Sequence, residues 1–466
     1  MHQFEYDLLA VGSGPGGQSA ALQAAGLGKR VGLIERKPYI GGVSLQTGTI
    51  PSKALREAAW LASRFSARGM RQTSAQGRGN LDSGFLGEAV SRKQRVVENQ
   101  EALLLKQLMA AGVTLFPGEA SFVDPQTLAI HHANGETLRL CADVIVLATG
   151  SRQRRPAEIP FDKERILDSS SILKLRRLPG RLLVVGGGVI ACELATLFAP
   201  LGVDVELVDS HEHLLAYLDE DIQQILENEL LDMGVRLHLQ TRVDRIAREG
   251  DRVSLTSVDG ERLEADVLLY ALGREPNYSG LKLDNAGLQA DDRGWVRINE
   301  MHQTAQSHIY IIGDLAGRPS LASTTMDQGR LAANHAFSGP RADTAGLLPM
   351  AIYTIPEVSW VGRTERELRE QGIDYVVGRA RFADTARGQI IGAEHGFMKL
   401  LVARTDRHVL GVHIIGELAS ELVHVGQMAM RLHAGIDDLA GTVFNYPTLA
   451  QCYKMAALDC LKQLAD

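Results

Sequence analysis

Two glycine-rich turns have the residue types and spacing of a site that does chemistry. The first runs from Gly12 to Gly17 after an apolar stretch, and Glu35 ends the next apolar stretch. The second runs from Gly186 to Ala191, and Asp209 ends the apolar stretch that follows it. Glycines let the backbone approach a pyrophosphate, which the free N–H groups of the next helix then bind. An acid at the end of the second strand can accept hydrogen bonds from an adenosine ribose.

The spacing is alike in the two segments. In each, the acid follows the last residue of the turn by about 18 positions, close to the interval of a dinucleotide site. We interpret two sets of residues as nucleotide sites: Gly12, Gly14, Gly17 with Glu35, and Gly186, Gly188, Ala191 with Asp209. Two nucleotide sites in one chain predict a flavin and a nicotinamide that exchange hydride.

Strands and helices must hold these turns. Strands are predicted over 6–11, 30–34, 181–185 and 203–208, and helices over 18–25 and 192–199. Each turn therefore lies in a βαβ unit. A buried strand is predicted over 309–312, a loop over 64–80, and an α+β domain after residue 347, with strands over 397–402 and 408–414 and helices over 420–432 and 449–464.

Composition limits the class of protein. The 466 residues, 45% hydrophobic and 23% charged, suggest about three globular domains. The formal net charge of −7 gives no reason to expect nucleic acid or a membrane surface as partner. The sequence has neither a bilayer-spanning stretch nor a signal-peptide pattern, so we expect a cytoplasmic protein. The spacing of Cys141, Cys192, Cys452 and Cys460 predicts neither a metal site nor a disulfide framework.

Further motifs resemble a known family. The segment Gly41 to Leu55 resembles the redox motif of dihydrolipoamide dehydrogenases and their relatives, and Ala148-Thr149-Gly150 and Gly313-Asp314 resemble their flavin-domain signatures. The closer resemblance is to the soluble pyridine nucleotide transhydrogenase branch of the flavin-dependent pyridine nucleotide-disulfide oxidoreductases. Four segments carry it: Thr49 to Arg56, Leu214 to Ala216, Ile352 to Glu357, and Phe444 to Thr448.

The resemblance implies an α/β fold with two Rossmann-type (glutathione reductase-like) domains and a C-terminal α+β dimerisation domain. The implied FAD-binding domain covers residues 1–150 and 276–345, the NAD-binding domain 151–275, and the dimer-interface domain 346–466. The implied partners are a second copy of the chain and nicotinamide nucleotides. The implied cofactors are FAD and NAD(H), with the use of NADP(H) left open.

The resemblance also implies site residues. Lys53 lies beside the flavin N5 edge, paired with Glu193, as the catalytic pair. Asp314 contacts the ribitol, and Gly118 and Ala120 contact the adenine. The full FAD set is Gly12, Gly14, Pro15, Gly17, Glu35, Arg36, Gly42, Ser44, Thr49, Lys53, Gly118, Ala120, Thr149, Gly150, Asp314 and Ala322. The NAD set is Gly186, Gly188, Val189, Ile190, Ala191, Glu193, Asp209 and Gly273. Tyr446 and Pro447 close the flavin pocket of the partner subunit, and no residue binds a metal.

The sequence departs from the disulfide reductases at both redox positions. Ser44 and Thr49 stand where those enzymes carry cysteines, and a hydroxyl cannot form a disulfide. Tyr446 and Gln451 replace the histidine and the acid of their proton shuttle. We therefore predict hydride exchange between nicotinamide nucleotides through the flavin, which needs no side-chain acid or base. The alternatives are an NADH diaphorase that reduces a quinone or oxygen, and a non-catalytic flavoprotein that responds to NADH.

Asp209 predicts a preference among nucleotides. An anionic side chain there would repel the 2′-phosphate of NADPH, so NADH is the expected donor. His211 and His213 stand where close relatives carry arginines, and we interpret them as surface loop residues. Glu417, Glu421 and His424 have helix-like spacing and are interpreted as surface or interface residues, not as metal ligands.

Overall fold

The computed structural model describes residues 4–67, 83–317, 319–339, 346–393 and 395–465. Seven strands form its first sheet: β1 (Tyr6–Val11), β2 (Val31–Glu35), β3 (Thr114–Pro117), β4 (Glu119–Asp124), β5 (Thr127–His131), β6 (Thr137–Leu147) and β17 (Ile309–Ile311). The order β3-β2-β1-β6-β17 is parallel throughout, while β4, β5 and the beginning of β6 form an antiparallel meander. Apolar side chains cover both faces of the parallel part, as buried parallel sheets require.

Five helices accompany this sheet: α1 (Pro15–Gly26), α2 (Gly42–Gln46), α3 (Thr49–Ala67), α4 (Ser83–Ala110) and α7 (Ala322–Ser338). Helix α1 packs on α7, where the Ser19 hydroxyl donates to the Met326 carbonyl at 2.6 Å. Gly329 permits this approach, because a Cβ there would lie 2.4 Å from the Gly16 carbonyl oxygen. The helix that carries the first glycine turn is thus fixed against a helix from much later in the chain.

The second sheet has the same five-stranded parallel arrangement as the parallel part of the first sheet. Its strands are β8 (Ile166–Leu167), β9 (Arg181–Val185), β10 (Asp204–Val208), β11 (Arg236–His238) and β15 (Val267–Tyr270), all parallel in the order β11-β10-β9-β15-β8. Helices α5 (Val189–Phe198) and α6 (Glu220–Asp232) belong to this unit. The antiparallel strands β12 (Val243–Glu249), β13 (Arg252–Ser257) and β14 (Arg262–Ala265) extend it. Strand β7 (Ser151–Gln153) pairs with β16 (Arg274–Pro276), so the chain enters and leaves the unit side by side.

The C-terminal part is an antiparallel sheet with helices against it. Its strands run in the order β18 (Met350–Ile352), β19 (Glu357–Gly362), β22 (Val409–Gly416), β21 (Phe397–Ala403) and β20 (Tyr375–Arg381). Its helices are α8 (Glu365–Glu370), α9 (Ala386–Ile391), α10 (Ala419–Arg431), α11 (Ile436–Gly441) and α12 (Gln451–Ala465). The fold class predicted from the sequence is confirmed. None of the helices in the described ranges has the length and apolar character needed to cross a membrane.

A buried ion cluster joins this sheet to the second unit. Lys399 on β21 has no exposed surface, and its ammonium contacts Asp219 at 3.2 Å. It also contacts Asp221 and Glu365. Burial alone would lower the pKa of Lys399, but its hydrogen bonds to Asp221 and Glu365 and the charge of Asp219 raise the pKa above its ordinary value. An ammonium without exposed surface is stable only with such partners, so the cluster anchors α6 to the C-terminal sheet.

Several predicted boundaries were wrong by a few residues. Helix α1 begins at Pro15 and not at residue 18, because proline suits the first helical turn, where its missing N–H is not needed. Helix α5 begins at Val189, inside the second glycine turn, and not at residue 192. The loop predicted over 64–80 is helical up to Ala67, and its remainder lies outside the described residues.

Candidate functional site

The first glycine turn is tied to its acid. The Ser13 N–H and hydroxyl both donate to the Glu35 Oε2, at 3.0 and 2.6 Å, and the Lys37 N–H donates to Oε1 at 2.9 Å. The Gly41 N–H donates to the Ser13 hydroxyl oxygen at 3.0 Å, which links the turn to the segment before α2. Glu35 therefore holds the turn in shape.

The second glycine turn has the same construction. The Gly187 N–H donates to the Asp209 Oδ2 at 2.5 Å, and the His211 N–H donates to Oδ1 at 2.8 Å. Gly187 occupies the position that Ser13 has in the first turn. A Cβ on Gly187 would lie 2.9 Å from the Asp209 carboxyl carbon, so glycine is needed where the acid approaches this closely.

Both helices that follow the turns begin without a side-chain cap. The N-cap residues are Gly14 for α1 and Gly188 for α5, and neither makes a capping bond. The first N–H groups of each helix can therefore bind an anion. A Cβ on Gly14 or Gly188 would meet no atom within 4 Å, whereas one on Gly17 would lie 1.8 Å from the Gly12 carbonyl oxygen. Gly17 thus serves the packing of the turn, and the open N-cap positions fit a pyrophosphate.

A cavity of about 830 Å³ brings most of the predicted flavin residues together. The lining residues among them are Gly12, Gly14, Pro15, Glu35, Arg36, Gly42, Ser44, Thr49, Lys53, Gly118, Ala120, Thr149, Gly150, Asp314 and Ala322. Val189, Ile190 and Glu193 of the predicted NAD set line the same cavity. Its walls thus come from both units that carry a glycine turn.

Lys53 lies where the two units meet. Its ammonium donates to the Glu193 Oε1 and Oε2 at 2.9 and 2.7 Å. The side chains are 25% and 12% exposed, so the pair is largely shielded from water. The Tyr353 N–H donates to the Glu193 Oε1 at 2.9 Å, and the Lys53 ammonium lies 4.8 Å from the centre of the Tyr353 ring. Burial, together with the carboxylates of Glu357, Glu421 and Glu193, raises the pKa of Tyr353, which keeps its phenol neutral.

Sequence reasoning missed a second polar network in this cavity. The Ser151 hydroxyl donates to the Asp314 Oδ2 at 2.6 Å, and the Arg274 Nε donates to the Ser151 hydroxyl oxygen at 2.7 Å. The Thr149 hydroxyl donates to the Asn277 carbonyl at 2.7 Å. Arg274 directly follows Gly273 at the return from the second unit, and Asn277 lies three residues further on, so the closeness of both to Gly273 in the sequence was the available signal. Tyr353 was also missed as a site residue, although its segment was noted.

Other predicted residues lie outside this cavity. Gly17 is inside the first turn. Gly186, Gly188 and Ala191 are inside the second turn, to which Asp209 is hydrogen-bonded, and neither they nor Gly273 line the cavity. Tyr446 is 74% exposed and, with Pro447, does not line the cavity of its own chain. The role predicted for Tyr446 and Pro447 concerns a second subunit and stays a prediction.

The cavity has no cysteine in its described lining. Cys192, Cys452 and Cys460 are buried elsewhere, and Cys141 is partly exposed on β6. Burial, followed by the negative charges of Asp209, Glu193 and Glu227, raises the pKa of Cys192 well above its ordinary value. Burial raises the pKa of Cys452 and of Cys460 to about 12. These thiols are therefore poor nucleophiles at neutral pH.

Within the described ranges, one group of three acidic residues has the geometry that could hold a metal ion. Asp219, Asp221 and Glu365 are close enough to share a cation, but the Lys399 ammonium contacts all three and takes that position. Glu417 instead pairs with Arg64, its Oε2 lying 2.7 Å from the guanidinium Nη1.

Comparison with protein families gives two matches. Residues 6–329 match the pyridine nucleotide-disulphide oxidoreductase family, and residues 348–457 match the dimerisation domain of the same name. The chain is 41% identical over 461 residues to a soluble pyridine nucleotide transhydrogenase of Mycobacterium bovis, with 99% of this chain and 98% of that protein covered. It is 40% identical to a protein of the same name from Yersinia pestis, with 99% of each chain covered.

Two solved structures are similar to this chain over nearly its whole length. LpdA from Mycobacterium tuberculosis superposes with a TM-score of 0.89 at 28% identity, covering 97% of this chain and 99% of that one. The HOCl-induced flavoprotein disulfide reductase RclA from Escherichia coli superposes with a TM-score of 0.86 at 26% identity, covering 97% of this chain and 100% of that one.

Proposed function

This chain belongs to the pyridine nucleotide-disulphide oxidoreductase family, and we propose that it is an FAD-dependent enzyme exchanging hydride between nicotinamide nucleotides. Its full-length relatives are named soluble pyridine nucleotide transhydrogenases. One observation carries the proposal: a cavity shared by both nucleotide units contains the Lys53–Glu193 pair and has no cysteine in its described lining. Among the described residues, no dithiol lines this cavity to receive electrons.

The first unit would hold FAD. The uncapped N-terminus of α1 would bind the pyrophosphate, Glu35 would accept from the adenosine ribose, and the Ser151–Asp314 pair would contact the ribitol. Gly118 and Ala120 offer backbone groups to the adenine. When bound, the flavin supplies the atom that accepts hydride and gives it back.

The second unit would hold the nicotinamide nucleotides in turn. The N-terminus of α5 would bind the pyrophosphate and Asp209 would accept from the adenosine ribose. Val189, Ile190 and Glu193 line the shared cavity. One nucleotide must leave this unit before the next one binds, which predicts ping-pong kinetics.

Lys53 supplies electrostatic stabilisation. Its ammonium stabilises the negative charge that enters the cavity with a hydride, and this interaction is strong because water is largely excluded. Glu193 and the Tyr353 ring hold the ammonium in place, and Glu193 limits the cost of burying it. Hydride exchange moves no proton through a side chain, so the replacement of a histidine shuttle by Tyr446 does not prevent it.

We also propose a homodimer. The C-terminal residues match a dimerisation domain, and apolar side chains there are exposed in the single chain: Val443 at 91%, Leu432 at 70% and Met428 at 50%. A second copy would cover them, and Tyr446 and Pro447 would then close the flavin pocket of the other subunit. We expect the enzyme to act in the cytoplasm, where both nucleotides are available.

Anaerobic stopped-flow absorbance tests the proposal. The flavin is reduced with NADH and then mixed with thionicotinamide-NAD⁺, NADP⁺, a quinone or oxygen. Reoxidation by a nucleotide at a catalytic rate supports hydride exchange. Reoxidation only by quinone or oxygen would replace it with the diaphorase alternative. A flavin that NADH does not reduce would leave only the non-catalytic alternative, and turnover of a dithiol would contradict the proposal.

A further inference from the structure

Arg56 is a buried arginine on α3, one turn after Lys53. Its side chain and that of Glu357 are each 9% exposed, and the Arg56 Nη1 lies 3.2 Å from the Glu357 Oε1. The Arg56 Nε and Nη2 also donate to the Thr354 carbonyl, at 3.3 and 3.1 Å. One side chain of the first unit thus holds two residues of the C-terminal part.

These two contacts fix the 353–356 segment, which connects β18 to β19. The segment begins with Tyr353, Thr354 follows directly, and Glu357 is the first residue of β19. Arg56 therefore binds the connection close to both of its ends. The segment cannot move along α3 without separating a buried ion pair, which is costly because each charge would lose its partner.

Tyr353 completes the surroundings of the proposed catalytic pair. Its N–H donates to the Glu193 Oε1 at 2.9 Å, and the centre of its ring lies 4.8 Å from the Lys53 ammonium. Burial, followed by the charge of Glu357, raises the pKa of Tyr353, so a neutral ring lies beside the ammonium. The position of Lys53 thus depends on a segment that Arg56 holds.

Arginine suits these contacts better than lysine does. Its planar guanidinium presents several N–H groups in a rigid fork, so it can bind a carbonyl and a carboxylate together, whereas an ammonium is a point charge on a flexible chain. The Glu357 Oε2 accepts from the Ser420 N–H and hydroxyl, at 3.1 and 2.8 Å. Both oxygens of the buried carboxylate therefore have partners, as a stable buried ion pair requires.

We propose that Arg56 is a positioning residue for the Lys53–Glu193 pair. It acts through the 353–356 segment, since it is not among the described residues that line the cavity. The inference rests on the proposed function, in which Lys53 stabilises the negative charge that enters the cavity with a hydride, and deepens it. Loss of the Arg56 contacts would let Tyr353 and Lys53 move and would weaken that stabilisation.

Two measurements on Arg56→Lys test the inference. Anaerobic dye titration should give a flavin midpoint potential about 30 mV more negative than in the unmodified enzyme, which corresponds to a tenfold weaker preference for the reduced form. Flavin reduction at saturating NADH should slow about tenfold, while the half-saturating NADH concentration stays the same because the second glycine turn is untouched. An unchanged potential would overturn the inference. A higher half-saturating concentration at an unchanged maximal rate would also overturn it.

Arg64→Lys is the matched control. Arg64 lies eight residues later on α3 and makes the same two kinds of contact with the C-terminal part. Its Nη1 lies 2.7 Å from the Glu417 Oε2, and its Nη2 donates to the Ile391 carbonyl at 2.8 Å. Arg64→Lys should keep the potential and the reduction rate of the unmodified enzyme. A potential shift equal to that of Arg56→Lys would overturn the inference, because it would indicate a general loosening of α3.

A double variant, Arg56→Met with Glu357→Gln, separates position from charge. It removes both members of the ion pair, so no buried charge is left unpaired, and it should fold even if Arg56→Met alone does not. Its flavin potential should again be about 30 mV more negative, a tenfold effect. A potential equal to that of the unmodified enzyme would show that the contacts of Arg56 do not position the pair, and the inference would fail.

The potential also separates this inference from the proposed function, because dye titration needs no nicotinamide nucleotide. If the shift in Arg56→Lys is found while the unmodified enzyme exchanges no hydride between NADH and thionicotinamide-NAD⁺, the positioning role holds and the transhydrogenase proposal fails. If exchange occurs and Arg56→Lys has the potential of the unmodified enzyme, only the positioning role fails.

Discussion

Lys53 and Glu193 are 140 positions apart in the sequence, yet the ammonium of one contacts both carboxylate oxygens of the other, at 2.9 and 2.7 Å. The contact joins α3 of the first unit to α5 of the second. The Tyr353 N–H binds the same carboxylate at 2.9 Å, so a third segment, from the C-terminal part, completes the arrangement. A charge at this junction can affect a reaction between ligands of the two units.

Replacing Lys53 by methionine should slow flavin reduction by NADH about a hundredfold, because a preorganised cation is lost from a shielded site. FAD content should stay near that of the unmodified enzyme, since other residues line most of the cavity. Rapid-mixing absorbance at saturating NADH measures the rate. Lys29→Met is the control, because this ammonium lies over the Phe337 ring, 4.8 Å from its centre, and does not line the cavity. A Lys53→Met rate equal to that of Lys29→Met would contradict the role.

The two acids should affect different nucleotides. Glu35→Gln should reduce the fraction of protein purified with FAD, because it weakens the acceptor for Ser13 and for a ribose. Asp209→Asn should leave the FAD content unchanged and raise KM for NADH about tenfold, the effect of one charge-assisted hydrogen bond. Flavin absorbance and steady-state kinetics measure the two effects. If Glu35→Gln and Asp209→Asn each changed both the FAD content and the KM for NADH to the same extent, the assignment of one nucleotide to each turn would be wrong.

Lys399→Met should lower the free energy of unfolding by about 3–5 kcal/mol at pH 7, because three carboxylates lose their buried cation. Urea unfolding followed by fluorescence measures this change. Arg379→Met is the matched control: it contacts Asp221 at 3.7 Å from a half-exposed position and should cost less than about 1 kcal/mol.

The effect of Lys399→Met should depend on pH in a defined direction. Burial would raise the pKa of Glu365, but the hydrogen bond and charge of Lys399 lower it below its ordinary value of 4.5. A lowered folded-state pKa gives stability that is complete above the unfolded value and lost as the pH falls through the folded value. The stability gap between the unmodified chain and Lys399→Met should therefore narrow below about pH 4.5. A gap that widened there would contradict this account.

Alkylation of thiols should leave flavin reduction by NADH intact. The cavity has no cysteine in its described lining, and burial raises the pKa of Cys452 and Cys460 to about 12. Iodoacetamide at pH 7.5, with peptide mass spectrometry, should label Cys141 before the buried thiols. Loss of most of the activity in proportion to labelling of any cysteine would show that a thiol takes part.

Short patterns predicted the parts of the site that are local in sequence. Each glycine turn and its acid lie within one βαβ unit, so their spacing indicated their contact. Arg274 was not predicted, because its partners Ser151 and Asp314 lie in other segments. The helix after the first turn was predicted to begin at residue 18, but Pro15 is the first helical residue of α1.

Lys399 shows why part of the fold was not predictable. It lies in a strand that was correctly predicted from its apolar neighbours, and a lysine there would ordinarily be placed on the solvent side. Its burial depends on Asp219, Asp221 and Glu365, which come from two distant segments. A single sequence gives no indication of such a long-range set of charges.

Glu35 accepts a hydrogen bond from Ser13 in the first glycine turn, and Asp209 accepts one from Gly187 in the second. The shape of each turn is therefore fixed by hydrogen bonds within the protein. The protein should therefore bind FAD again readily after the proposed flavin has been removed. Chemically altered flavins, such as 5-deazaflavin dinucleotide, could be loaded in place of the natural one, and the protein would then serve as a host for comparing their reactivity in identical surroundings.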